Sequence, residues 1–275
     1  MAPVISLLLL VLFCCRGANG RQQNTTAVSL LAPDEEVSCY ALYNSYTRGS
    51  NHYGVIATMD VYGFSITQDQ DSGAAIWVGN PGDGAPTSGN FILVGWHVKP
   101  RLYGDSNTHL FVYWTKDGFQ KTGCYNTVCI GFQPEAAASI SAGDIITPSK
   151  SITIKVFQNK DTGDWWVYCG SNGSATAVGH FPKWLFTGLA NSTADFSFGG
   201  YVSNEKTAKT PPMGSGSSQP GQAASFSGLQ YVLQDGTVSP ITGDLVSRTD
   251  KKSCYPVTPI VDGKFYYGGP GGCTV

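Results

Sequence analysis

The chain is 275 residues long, with 34 Gly, 15 Pro and 13% charged residues. Its 6 Trp, 14 Tyr and 13 Phe exclude a disordered chain, and the scarcity of charge excludes a coiled coil or long-helix protein. A formal net charge of −2, with 17 basic and 19 acidic residues spread along the sequence, leaves no electrostatic footprint for nucleic acid or an anionic membrane.

From the N-terminus, Val4 to Phe13 is an almost unbroken apolar run, followed by Arg16 and the small-residue pattern Ala18-Asn19-Gly20. The run is shorter than the ~20 residues of a spanning helix, so residues 1–20 read as a secretory signal peptide. No later stretch is apolar for long enough to span, and no membrane contact is expected after cleavage. Cleavage leaves Cys39, Cys124, Cys129, Cys169, Cys254 and Cys273, an even set in an oxidising compartment. Connectivity is ambiguous from sequence alone. Cys124 and Cys129 are close enough to staple a tight loop, Cys254 and Cys273 to clamp the C-terminal segment, and Cys39 with Cys169 is the remainder. His52, His97, His109 and His180 stand apart from one another, so neither a metal nor a cofactor is expected. Asn24, Asn172 and Asn191 open glycosylation sequons.

Residues 21–51 are polar and short of strand pattern, and read as an N-terminal arm. From His52 onward β-rich runs recur between turn signals: His52 to Val61, Ala74 to Val78, Phe91 to Lys99, Leu110 to Trp114, Ser151 to Gln158, Asp164 to Cys169, Ala194 to Ser203 and Phe226 to Leu233. Phe181 to Phe186, with Pro182 near its start, is the one stretch resembling a helical turn. Thr207 to Ala224, rich in Pro, Gly and Ser, reads as a long surface loop. Many short strands without α/β alternation or a repeat predict an all-β fold, with residues 52–275 forming one antiparallel two-sheet sandwich.

No nucleophile elbow, phosphate loop, zinc-protease motif or dinucleotide fingerprint is present. The run Gly95-Trp96-His97-Val98-Lys99-Pro100-Arg101-Leu102-Tyr103-Gly104-Asp105 continues through Thr108-His109-Leu110-Phe111-Val112-Tyr113-Trp114-Thr115 to Thr122-Gly123-Cys124-Tyr125-Asn126-Thr127-Val128-Cys129. Further on come Trp165-Trp166, Phe181-Pro182, Phe198-Gly199-Gly200, Met213-Gly214-Ser215-Gly216 and Phe265 to Cys273. In order and spacing this series resembles the plant neprosin family. The resemblance implies two strongly curved sheets, secretion to the apoplast, and descent from glutamic endopeptidases that cleave after proline. It also implies the pairs Cys124–Cys129 and Cys254–Cys273, whereas Cys39 and Cys169 fall outside the family pattern.

The family's two glutamates lie two residues before the first Gly-Trp and directly after the later Gly-Gly. Here those positions hold Leu93 and Tyr201. Leucine exchanges no proton, and a phenol with pKa near ~10 is a poor base for water. His97 and His109 also stand where the family carries Gln and Arg. The expectation is a non-catalytic secreted homologue whose groove, lined by Leu93, Trp96, Tyr168 and Tyr201, takes proline-rich peptides or cell-wall glycans. Two alternatives stand beside it: an active peptidase with displaced acids, Asp83 or Asp105 swinging inward, and a lectin-like cell-wall module.

Overall fold

Side chains alternate across a strand, so a strand with one apolar face must lay that face against a second layer. In the computed structural model, which describes residues 36–47, 50–171, 174–190, 194–242 and 245–274, fifteen strands do this. In chain order they are β1 (Glu36–Ser45), β2 (His52–Asp60), β3 (Gln70–Asn80), β4 (Asn90–Val98), β5 (His109–Thr115), β6 (Cys124–Tyr125), β7 (Gln133–Pro134) and β8 (Ser151–Gln158). Then follow β9 (Trp165–Ser171), β10 (Ser174–Phe181), β11 (Asp195–Glu205), β12 (Ala224–Leu233), β13 (Val238–Pro240), β14 (Val246–Thr249) and β15 (Phe265–Tyr267). The first sheet runs β14-β1-β11-β3-β4-β5-β6; the second runs β13-β12-β2-β8-β9-β10-β7, with β15 also paired to β12. All pairings are antiparallel.

The expected sandwich is therefore present, and its core lies between the sheets. Ile92, Val94 and Trp96 of β4 and Phe196, Phe198 and Val202 of β11 supply one side, facing Val55, Ala57 and Met59 of β2 and Ile154 and Val156 of β8. A short helix, α1 (Pro100–Tyr103), follows β4; Pro100 presets its first turn and Gly104, at φ 80°, ends it. The helical turn expected near Pro182 is a 3-10 turn at Lys183–Leu185. Among the described residues, no helix is long and apolar enough to cross a membrane.

Three expectations need correction. Residues 36–45 of the supposed arm form β1, paired with both β11 and β14. Its inward positions are Cys39, Ala41, Tyr43 and Ser45, all buried, while Tyr40 and Leu42 face outward. Neither face is a clean aliphatic stripe, and a reading by polarity misses it. The loop from Thr207 is not wholly superficial: Thr210 and Met213 are buried, and Met213 exchanges backbone hydrogen bonds with Gly269. The third correction concerns the cysteines. Cys124–Cys129 and Cys254–Cys273 are bonded, but Cys39 and Cys169 are free and buried. They belong to opposite sheets, Cys39 opposite Val202 and Cys169 between Ile154 and Thr176, where each packs as a small apolar side chain. The signal peptide and all three sequon asparagines, Asn24, Asn172 and Asn191, lie outside the described residues.

Burial pushes the Cys39 thiol up, and the Cys169 thiol up to about 12. Both are then protonated and unreactive in the native state. Iodoacetamide without reductant is expected to label neither in the native protein and both after denaturation, while Cys124, Cys129, Cys254 and Cys273 stay unlabelled. Peptide mass mapping checks this, and a Cys39–Cys169 bridge would appear as the absence of both labels.

Candidate functional site

The outward face of the first sheet carries few aliphatic side chains. Along it lie Tyr40 on β1, Trp77 on β3, Phe91 and Leu93 on β4, Tyr113 on β5, Tyr125 on β6 and Tyr201 on β11, with Phe119 leaning in from a loop. Gly73, Gly79 and Gly95 lie on the strands between them. The result is a groove of two adjoining hollows of about 480 and 200 Å³ that share Tyr40, Trp77 and Phe119. Trp77 meets Tyr40 and Tyr201 edge-on, at 6.2 and 5.9 Å between ring centres. Tyr113 lies 4.5 Å from Tyr125 and 5.9 Å from Phe119.

Leu93 and Tyr201, the positions at which the sequence resemblance implies glutamates, both open on this groove. Leu93 sits opposite Trp77 and Tyr201 opposite Gly73, on either side of β3, and both line the smaller hollow. Two carboxylates share that lining, Glu36 and Asp71. Asp71 is engaged: it pairs with Lys99 and accepts a hydrogen bond from Ser203 Oγ at 3.0 Å. Lys99 in turn lies 5.6 Å from the centre of the Tyr125 ring.

Beside the groove, on the same face of the sheet, runs a hydrogen-bonded chain. His97, fully buried, stacks on Phe111 at 4.1 Å. Its Nδ1 lies 3.2 Å from Tyr201 Oη and its Nε2 2.9 Å from Tyr103 Oη. Asn126 Nδ2 donates to Tyr103 Oη at 3.0 Å. Tyr103 stacks on His109 at 3.7 Å, and the two nitrogens of His109 face the Gly143 carbonyl at 2.7 Å and Asp105 Oδ1 at 3.0 Å. Burial pushes the Tyr103 phenol up to about 12 and drives Tyr201 well above its ordinary value, so both are protonated at neutral pH. Burial also holds the His97 imidazole well below its ordinary value, with Lys99 and then His109 adding to the effect.

The structure thus brings together two of the four groove residues expected from sequence. Trp96 is in the core instead, its Nε1–H donating to the Asp60 carbonyl at 2.9 Å, because a residue three places from Leu93 on one strand faces the other way. Tyr168 belongs to β9 of the second sheet, beside Phe157 and Trp166. Asp83 and Asp105 do not line the groove. Asp83 accepts the Ala85 N–H at 2.9 Å, which holds its carboxyl low, and the hydrogen bond from His109 does the same for Asp105. Tyr40, Trp77, Tyr113, Asp71 and Lys99 were missed, although two-residue spacing along β3, β4 and β5 marks their shared face once the strands are paired.

A family model described as Neprosin matches residues 68–270. Among solved structures, a scytalido-glutamic peptidase with a transition state analog inhibitor is similar at 13% identity, over 85% of this chain and 98% of that one, with a TM-score of 0.48. SCP-B, a member of the Eqolisin family of peptidases in complex with the tripeptide Ala-Ile-His, is similar at 12% identity over 86% and 98% of the two chains, with a TM-score of 0.43. A β-porphyranase from the human gut bacterium Bacteroides plebeius covers 60% of this chain and 65% of its own at 11% identity, with a TM-score of 0.28.

The depressed His97 value has a consequence for stability. Unfolded, the imidazole takes up its proton near pH ~6.5; folded, it does so only at lower pH, so the unfolded state binds more protons in between. The stabilisation is complete above ~6.5 and is lost as pH falls, at up to about 1.4 kcal/mol per unit. Urea denaturation at pH 7 and pH 5 is expected to show a larger loss in the native sequence than in His97→Gln. Equal losses would contradict the assignment.

Proposed function

The chain belongs to the neprosin family, and from that premise we propose that it is a secreted, non-catalytic member whose aromatic groove binds an extended, proline-rich peptide. The observation that carries this reading is the occupancy of the groove: Leu93 and Tyr201 line it where two carboxyls would be needed. Hydrolysis by such a pair requires one ionised carboxylate to activate water and one protonated carboxyl to polarise the carbonyl or protonate the amine. Leu93 has no exchangeable proton, and Tyr201 keeps its own far above neutral pH. Asp71, already bound to Lys99 and Ser203, is not placed to act as half of a new pair.

The same lining suits a ligand. Tyr40, Trp77, Tyr113, Phe119 and Tyr125 offer rigid ring faces that cost little side-chain entropy on contact. A polyproline II segment is already extended and loses little freedom on docking against such a surface. Secretion is supported by two disulfides, which persist in oxidising compartments.

Calorimetric titration with a doubly capped tetraproline peptide is the direct test. Binding is expected to weaken about tenfold or more in Trp77→Ala, and to be unchanged in Trp166→Ala on the second sheet. New amino termini appearing in a proline-rich substrate incubated with the purified chain would overturn the non-catalytic assignment. Equal binding by Trp77→Ala would overturn the groove as the site.

A further inference from the structure

The hydrogen-bonded chain beside the groove has a direction, set from its far end. Asn126 Oδ1 accepts the buried Val112 N–H at 3.1 Å, which fixes the amide so that Nδ2 faces Tyr103. Tyr103 Oη therefore receives a hydrogen bond from Asn126, and since His97 Nε2, at 2.9 Å, is its other hydrogen-bond partner among the described residues, its own proton is satisfied by donating there. A neutral imidazole that accepts at Nε2 carries its proton on Nδ1. That proton is directed at Tyr201 Oη, 3.2 Å away. Tyr201 then accepts at its back, and its hydroxyl proton has no protein acceptor assigned among the described residues.

We infer that Asn126, acting through Tyr103 and His97, sets Tyr201 as a hydrogen-bond donor to the groove's occupant, which presents an amide carbonyl oxygen there. The ligand half of this inference rests on the peptide-binding reading; the direction of the chain does not. Tyr201 is the contacting residue. Asn126, Tyr103 and His97 are positioning residues, and a carbonyl of an X–Pro bond fits the contact because that tertiary amide brings an acceptor with no N–H to desolvate.

The test uses one near-isosteric change at a residue that does not line the groove. In Asn126→Asp the carboxylate takes the Tyr103 proton, Tyr103 accepts from His97 Nε2–H, and His97 Nδ1 accepts from Tyr201, so every bond in the chain reverses. Long-range nitrogen–proton correlation spectra of the full mature chain, without ligand, are expected to show His97 protonated at Nδ1 in the native sequence and at Nε2 in Asn126→Asp. An Nε2-protonated imidazole in the native sequence, or an unchanged tautomer in the variant, would overturn the inference. Titration with the doubly capped tetraproline peptide supplies the second arm. About tenfold weaker binding is expected for both Tyr201→Phe and Asn126→Asp. Undiminished binding in Tyr201→Phe would overturn the contact while leaving the peptide-binding reading in place. Absence of binding to the native sequence would overturn that reading, and with it the ligand half of the inference, while the tautomer still decides the direction.

Discussion

Tyr201 can cross from β11 to hydrogen-bond a residue of β4 because β3, lying between them, has Gly73 in the same register row. A Cβ at that position would lie 2.9 Å from both Tyr201 Cε1 and His97 Cβ. The missing side chain is thus a condition for the groove floor. It lets one aromatic ring lie across the sheet and couples the groove to the buried imidazole beside it. Gly95 is constrained more tightly still, since a Cβ there would lie 1.9 Å from the Ala74 carbonyl oxygen. Small residues in the middle of a sheet weaken a strand by entropy and lost packing, so Gly73 is explained by the ring that crosses it and Gly95 by the close backbone of β3.

The loop closed by Cys124 and Cys129 feeds the same assembly from the other side. Asn126 adopts a left-handed φ of 53°, a conformation asparagine tolerates better than most residues. Its backbone N–H donates to the Val112 carbonyl and its side chain accepts the Val112 N–H in return. The loop is therefore registered against β5, and its asparagine is delivered to Tyr103 with one orientation. Tyr103 itself is held by the single turn of α1 and by stacking on His109. His97, His109 and Tyr201, where the sequence resemblance implies Gln, Arg and Glu, are contiguous through these contacts. They form one polar network rather than separate surface changes.

Much of this was legible in the sequence. Strand runs with two-residue alternation, such as Ile152, Ile154 and Val156, announce both the element and its buried face. Leu93 and Tyr201 stood out because motif spacing placed them. What escaped was pairing. Trp96 is a large aromatic three residues from Leu93, yet strand parity turns it inward, and Tyr168 lies on a different sheet. β1 escaped because its inward residues, Cys39, Ala41, Tyr43 and Ser45, are small or polar and its outward ones, Ser38, Tyr40, Leu42 and Asn44, mix polar with apolar, so neither face shows an alternating pattern. The bond between His97 and Tyr201 joins residues from two strands separated by a third, and no local pattern encodes such a row.

The two unpaired thiols carry a demand on the folding of the chain. While the polypeptide is still open, all of its cysteines are accessible to oxidant, and nothing chemical distinguishes a correct partner from a wrong one. The native partners are separated by 5 and 19 residues, whereas Cys39 and Cys169 lie on β1 and β9 with seven strands between them. Loop-closure entropy grows with contour length, so the two short rings are favoured statistically over the long one. Once the sheets meet, both leftover sulfurs are enclosed in the core between them. Proximity along the backbone thus selects the covalent isomer, and the hydrophobic interior then protects it.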